Sequence, residues 1–78
     1  MNTAIPKEFK KGLYRHYKGN EYTVEDIVIH SETQQWLVLY RPCYGEQLLW
    51  VRPFDMFYEK VTNPEGVLVD RFALIEVI

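Results

Sequence analysis

The stretch "QWLVLYRPCYGEQLLWVRP", from Gln35 to Pro53, decides the fold class. It holds two apolar runs, Gln35 to Arg41 and Gln47 to Arg52, and both are rich in the β-branched and aromatic residues that favour strands. Between them lies Pro42 to Glu46, whose proline and glycine are typical turn residues. The stretch therefore predicts a β-hairpin, the clearest one in the chain.

The residues before this hairpin repeat the pattern of short strands and turn signals. Leu13 to Lys18 and Glu21 to His30 predict two more strands, joined by a tight turn at Gly19-Asn20. The apolar alternation of the second of these strands slips by one residue near Glu25-Asp26. Such a slip predicts a β-bulge at that point.

The residues after the hairpin add a helical turn and at least one strand. Pro53 predicts the end of the fourth strand and the start of a short helical turn. Asn63 to Gly66 predicts a type I turn, and a further strand is expected around Phe72 to Val77. Together the elements predict an all-β domain: a small SH3-like barrel of five or six strands with one short helical turn. A two-layer β-roll is the alternative.

The length and composition indicate one folded domain. The chain has 78 residues, of which 47% are hydrophobic and 15% aromatic, unlike a disordered segment. We predict a partly mobile lead-in at residues 1–11 and a single β domain at residues 12–78. The sequence shows no apolar run long enough for a membrane span and no secretory signal, so we expect a cytoplasmic protein without a membrane partner. The single cysteine, Cys43, fits a reducing compartment.

The third and fourth strands are apolar on both faces, although a small barrel has only one inside. We interpret the aliphatic residues Leu37, Leu39, Leu49 and Val51 as facing inward. The aromatic residues Trp36, Tyr40 and Trp50 then lie on the other face. There they either form a second small core or leave an exposed apolar patch, which usually marks an interaction site.

The charges are unevenly distributed along the chain. Lys7 to Lys18 holds five cations against Glu8 alone, which is a charge of +4. The rest of the chain has a charge of −6, so the net charge is −2. A basic arm on an acidic body can steer an anionic partner towards it. It can equally pack against the acidic surface of its own domain, and the sequence leaves both alternatives open.

Five residues form the candidate binding site. Strand alternation sends Tyr14, His16 and Lys18 to one face, and we expect Trp50 and Arg52 to lie beside them. Rings and cations together can stack a base or pair with a carboxylate or phosphate. The alternative is structural, because tyrosines near hairpin ends commonly bury the ring and keep the hydroxyl in water.

The patterns of catalysis and of metal binding are absent from the sequence. Cys43 would need activation by His16 or His30, and nothing in the sequence brings these residues together. His30 and Glu32 fall short of a zinc pattern, and their turn offers acceptors that can cap its own backbone. The four glycines are isolated, so there is no phosphate-binding loop. We predict no catalytic residue, no metal and no cofactor.

Four segments carry a resemblance to a known family: "GLYRHYKGNEYTV", "IHSETQQWLVLYRP", "LLWVRPFDMF" and a late "RF". In order and spacing they resemble a small bacterial family catalogued as domain of unknown function 1653, from about Gly12 to Phe72. The resemblance implies a compact, mostly β, cytoplasmic domain and brings no function with it. The family pattern marks His16, Tyr17, Lys18, Gly19, Tyr22, His30, Glu32, Thr33, Tyr40, Trp50, Arg52, Pro53, Phe57, Arg71 and Phe72.

From these observations we predict a non-enzymatic binding module. Its surface around Tyr14, His16, Lys18, Trp50 and Arg52 would recognise a polar or anionic ligand, a peptide or a partner domain. The alternative is single-stranded nucleic-acid binding, in which the basic arm follows the backbone and tyrosines stack on the bases. The acidic total, with an isoelectric point near 5.6, argues against that alternative.

Overall fold

The computed structural model describes residues 9–78, which form seven strands and one helical turn. The strands are β1 (Gly12–His16), β2 (Glu21–Ile29), β3 (Trp36–Pro42), β4 (Trp50–Pro53), β5 (Lys60–Thr62), β6 (Leu68–Asp70) and β7 (Phe72–Val77), and the helix is α1 (Phe54–Phe57). The predicted helical turn after Pro53 is confirmed. In this part of the chain no helix is long and apolar enough to cross a membrane.

The strands form two sheets. The main sheet has five antiparallel strands in the order β4-β3-β2-β1-β7, and β5 and β6 form a separate two-stranded sheet. Strands β4 and β7 are the edges of the main sheet and do not pair with each other within residues 9–78, so the sheet does not close into a barrel. The all-β class is confirmed, as a compact open fold.

Local turn and bulge signals are confirmed. The β1–β2 hairpin closes at Gly19, whose φ of 112° favours glycine, and the Gly19 amide donates to the His16 carbonyl at 2.7 Å. The β2–β3 register shifts between Val24 and Asp26, as the slip in the alternation predicted. The Asn63–Gly66 turn is closed by a 2.9 Å hydrogen bond from the Gly66 amide to the Asn63 carbonyl.

The β3–β4 connection is longer than predicted. Strand β3 extends to Pro42 and β4 begins only at Trp50, so seven residues, 43–49, lie between them. Gln47 has a φ of 54°, which interrupts the extended backbone before the ladder can form. The Arg41 guanidinium donates to the Gln47 carbonyl and holds this loop against the end of β3.

The core is largely aromatic and lies on one face of the main sheet. Its buried side chains are Tyr14, Tyr22, Val24, Val38, Tyr40, Phe57 and Phe72. Helix α1 supplies Phe57, and β7 supplies Phe72. The tyrosine hydroxyls reach the rim and bond there: Tyr14 with Tyr58 at 2.9 Å, and Tyr22 with Tyr44 at 3.1 Å. Because the hydroxyls of Tyr14 and Tyr22 are hydrogen-bonded, burying their rings leaves neither hydroxyl unsatisfied.

The predicted inward face was wrong. Val38 and Tyr40 face the core at 0% and 3% exposure, whereas Leu49 and Val51 remain about half exposed and Leu37 and Leu39 are only partly buried. Phenylalanine rings from α1 and β7 cover the face that carries Tyr40, so this face of the β3–β4 hairpin is the one that packs into the core. Trp50 lies half exposed at the margin of the core face, and Trp36 is partly buried.

Only the end of the predicted lead-in can be described. Residues 1–8 lie outside the described residues. Phe9 packs against the core, and the Lys10 carbonyl accepts a 2.7 Å hydrogen bond from the Tyr14 hydroxyl. The chain is therefore attached to the domain from residue 9 onward.

Candidate functional site

The lysines and arginines of residues 9–78 fall into two groups. Five of them pair with a carboxylate, in the pairs Lys11–Asp26, Arg15–Glu21, Arg41–Glu25, Lys60–Asp70 and Arg71–Glu59. Lys10, Lys18 and Arg52 have no carboxylate within 4.0 Å in this part of the chain. Most cations are thus neutralised locally, and the exceptions are candidates for binding an anion.

Arg52 lies on the core face of β4. Its guanidinium carbon is 5.7 Å from the centre of the Phe72 ring, within the range of a cation–π contact. Its Nε is buried and has no hydrogen-bond partner in the described structure. The same is true of Nε in Arg71, although the end of that guanidinium pairs with Glu59.

His16 ends β1 beside the same Phe72 ring. The two ring centres lie 4.8 Å apart in an edge-to-face arrangement, and the Tyr17 ring is 4.6 Å away on another side. His16 Nδ1 accepts a hydrogen bond of 3.2 Å from the Lys18 amide. In the neutral imidazole the proton is therefore on Nε2, which is a donor.

Burial lowers the pKa of His16 below its ordinary value, and the charges of Arg52, Arg71 and Lys18 lower it further. The three cations therefore disfavour a positive charge on this imidazole. We call His16, Lys18, Arg52 and Arg71 the cationic cluster. Arg71 already pairs with Glu59, so the groups that the cluster offers an anion at neutral pH are the Arg52 guanidinium, the Lys18 ammonium and the His16 N–H.

The β1–β2 turn borders two grooves. One, of about 780 Å³, lies between His16, Tyr17 and Gly19 on one side and residues of β6 and β7 on the other. The second, of about 560 Å³, is lined by Tyr17 and Lys18 together with residues 62–64. The 43–49 loop borders a smaller groove of about 240 Å³ that includes Tyr44 and Trp50.

Of the five predicted site residues, His16 and Arg52 pack against the same Phe72 ring, and the Lys18 backbone amide donates to His16 Nδ1. Tyr14 does not join them at the surface, because its ring is 2% exposed and its hydroxyl bonds to Lys10 and Tyr58. Trp50 is half exposed two residues before Arg52, and its ring packs edge to face on Tyr40 at 6.2 Å. Trp50 therefore flanks the cluster from the edge of the sheet.

Sequence reasoning missed two members of the site. Arg71 contributes charge, and Phe72 is the ring against which His16 and Arg52 both pack. The pairing of β1 with β7, in which His16 lies opposite Phe72, brings Arg71 and Phe72 close to His16. The Arg-Phe pair belongs to the family pattern, and that was the only signal of its importance.

Residues 9–78 form no cluster of metal-ligating side chains. No three His, Cys, Asp or Glu side chains lie together there as metal ligands. Cys43 is exposed, and its Sγ lies 3.6 Å from the Thr23 hydroxyl. His30 Nδ1 accepts from the amides of Glu32 and Thr33, so this histidine caps its own turn.

The basic arm is partly neutralised by its own domain. Lys11 lies 3.8 Å from Asp26, and Arg15 lies 2.6 Å from Glu21. Both acids belong to β2, so this part of the arm packs against the acidic surface beside it. Lys7 lies outside the described residues.

Comparison with known proteins agrees with the fold. Residues 12–74 match the model of a family described as protein of unknown function, DUF1653. The chain is also similar to the crystal structure of a DUF1653 protein from Bordetella bronchiseptica. That similarity has a TM-score of 0.82 and 29% sequence identity, and it covers 91% of this chain and 92% of the other. No curated protein matches the chain.

Proposed function

Since this chain belongs to the DUF1653 family, a family of unknown function, we propose its function from its own surface. The domain is a non-enzymatic binding module that recognises an anionic group, a carboxylate or a phosphate, at the cationic cluster. The anionic group belongs to a small ligand, a peptide or a partner domain. The grooves on either side of the β1–β2 turn hold the rest of the partner.

One observation carries the proposal: Arg52 is partly buried and has no carboxylate partner in the described residues, and its Nε is buried without an acceptor. A buried donor left unsatisfied costs about 1–3 kcal/mol. Proteins rarely keep such a donor unless something else satisfies it. An anion is the natural partner, because a guanidinium can present two parallel N–H groups to a carboxylate or phosphate.

The neighbours of Arg52 support the same reading. Lys18, on the exposed turn, also has no carboxylate partner in residues 9–78, and its Nζ lies 5.8 Å from the Tyr17 ring. His16 adds a second N–H donor. An exposed ammonium and a partly buried guanidinium packed against Phe72 both suit an anionic group.

Binding fits these groups better than catalysis does. A histidine acting as a general base is commonly oriented by a carboxylate. Within residues 9–78 His16 is oriented by a backbone amide, and no hydrogen bond joins it to an acid. We also propose a cytoplasmic location, which suits the exposed thiol of Cys43.

Titration with simple anions tests the proposal. We would follow backbone amide shifts by NMR as sodium sulfate or sodium acetate is added, with sodium chloride at equal ionic strength as the reference. We expect saturable shifts at His16, Lys18 and Arg52 that Arg52→Gln abolishes. Lys10→Gln is the matched control, because Lys10 also lacks a carboxylate partner in the described chain but is not among the cations that act on His16. Equal binding by wild type and Arg52→Gln would overturn the proposal.

A further inference from the structure

A run of exposed apolar residues leads into β4, the strand at one edge of the main sheet: Leu48 and Leu49 end the preceding loop, and Trp50 and Val51 begin the strand. Leu48, Leu49, Trp50 and Val51 are consecutive, and their exposures are 58%, 49%, 48% and 53%. Single exposed apolar residues are ordinary on a protein surface. Four in a row, each about half exposed, indicate a surface that something covers.

The second half of this run, Trp50 and Val51, lies on a free backbone edge. Within residues 9–78, β4 pairs only with β3, so its other side presents N–H and C=O groups that no strand satisfies. Edges of this kind are templates for another strand, and natural proteins usually protect them with charged side chains. No charged residue occurs from Leu48 to Val51, and the next residue, Arg52, packs against Phe72 on the core face.

The apolar surface continues from β4 onto the outer face of the sheet. There Val51 lies opposite Leu39, and Leu37 lies opposite Val28. Three ion pairs flank this apolar part: Arg15–Glu21 and Lys11–Asp26 lie towards the other end of the sheet, and Arg41–Glu25 has its arginine on β3, beside β4. Exposed apolar side chains also occur on β7, at Leu74, Ile75 and Val77, but there Glu76 interrupts them, whereas the run that enters β4 contains no charge.

We propose that the β4 edge is a homodimer interface, in which β4 of one copy pairs antiparallel with β4 of a second copy about a two-fold axis. The two five-stranded sheets then form one continuous sheet of ten strands. This proposal goes beyond the anion site and does not depend on it.

The second copy is the best match for this edge for reasons of symmetry and charge. A two-fold axis makes one surface its own partner, and antiparallel edge pairing satisfies that symmetry directly. In antiparallel pairing, residues opposite each other share a face, so the axis passes at Leu49 or at Trp50. An axis at Trp50 pairs Trp50 with its copy and Leu49 with Val51, whereas an axis at Leu49 pairs Leu48 with Trp50 and leaves Val51 opposite Gln47. Neither register brings like charges together.

The available area suggests a modest affinity. A standard interface buries about 800 Å² on each partner, about one-seventh of the 5537 Å² that this chain exposes. Four half-exposed side chains supply a patch on the order of 300–600 Å², the range of large patches on monomers. We therefore expect a dimer that dissociates on dilution.

Sedimentation velocity over a hundredfold range of protein concentration tests the proposal. We expect the wild type to shift from monomer to dimer and Val51→Lys to remain monomeric, because it puts like charges on two paired edges. Val77→Lys is the matched control: Val77 is 57% exposed on β7, the other edge, and this variant should dimerise like the wild type. Circular dichroism establishes that both variants are folded.

Hydrogen exchange identifies the interface. The β4 amides that do not bond to β3 should exchange more slowly at high protein concentration than at low concentration. A wild type that stays monomeric throughout would overturn the proposal. A dimer that persists in Val51→Lys, with unchanged exchange rates at the β4 amides, would also overturn it. Growth into oligomers larger than a dimer would overturn it too, because it would indicate that β4 pairs with β7 of another copy.

Discussion

The rings of Phe57 and Phe72 stack face to face, with centres 4.1 Å apart and planes 1° apart. The pair joins the single helical turn to the last strand of the main sheet. Tyr40 packs edge to face against both rings, at 5.5 Å and 5.9 Å, and Tyr14 packs against Phe57 at 5.5 Å. The aromatic core is therefore centred on this pair.

Phe57→Ala should strongly destabilise the domain. Removing a fully buried phenylalanine costs about 3–5 kcal/mol, through lost burial and the cavity left behind. Urea unfolding measures the change. The neighbouring Met56 is half exposed, so Met56→Ala is the matched control and should change stability by less than about 0.5 kcal/mol. Similar midpoints for the two variants would contradict the aromatic core.

Trp50→Ala should cost less than Phe57→Ala. The Trp50 ring keeps about half of its surface exposed and has its ring contact with Tyr40, so we expect a loss of about 1 kcal/mol, an average point-mutant effect. A loss as large as that of Phe57→Ala would mean that the ring belongs to a second core. The same urea titration decides between the two.

Binding of an anion should depend on pH through His16. Because the pKa of free His16 is held low by burial and by cations, a bound anion that offsets the cations raises it, and binding takes up a proton. Affinity for sulfate should therefore rise as the pH falls below neutrality. Sulfate is a suitable probe because it does not titrate in this range. His16→Asn should flatten the dependence, and an unchanged slope in that variant would exclude His16.

The β1–β2 turn at Gly19-Asn20 and the loop that contains Cys43 and Gly45 should differ in function. Lys18→Ala and His16→Ala should weaken sulfate binding without unfolding the domain, because both residues border the grooves at the β1–β2 turn. Cys43→Ser should change neither sulfate binding nor the stability of the fold, because the thiol is exposed and outside the cationic cluster. NMR titration of the three variants measures this. Loss of binding in Cys43→Ser alone would reverse the assignment.

Alkaline pH should destabilise the fold through its tyrosines. Burial raises the pKa of Tyr22 to about 12, and it also raises the pKa of Tyr58, from an ordinary value of 10.0. A raised pKa in the folded state gives stability that is complete below about pH 10 and is lost as the pH rises towards the folded values. Urea midpoints across this range should fall, and Tyr58→Phe should reduce the fall. A constant midpoint would contradict the buried, protonated hydroxyls.

Local structure was predictable because its signals are local. Gly19, Asn63 to Gly66 and the slip near Glu25 mark turns and a bulge through backbone requirements that neighbours in sequence express. His16 and Lys18 were associated by simple alternation along a strand, and Arg52 and Trp50 were expected to lie beside them, although β4 is separated from β1 by two strands.

The faces of the third and fourth strands were not predictable in this way. Both faces carry apolar residues, and the choice depends on Phe57 and Phe72, which arrive from distant parts of the chain. Arg71 was missed for the same reason, since the β1–β7 pairing brings it to His16. Tyr14 was assigned to the surface because the sequence does not show that Tyr58 bonds its hydroxyl in the core rim.

The pairing of β1 with β7 has a consequence for synthesis in the cell. Gly12 fits so closely against β7 that an added Cβ would lie 2.1 Å from the Glu76 carbonyl oxygen. The first strand of the domain therefore completes its contacts only when the last strand has left the ribosome, and until then the β7 side of β1 has no strand partner. Such non-local pairing favours slow, late folding. The nascent chain must therefore keep the unpaired side of β1 and its aromatic residues from other chains until translation of the domain is finished.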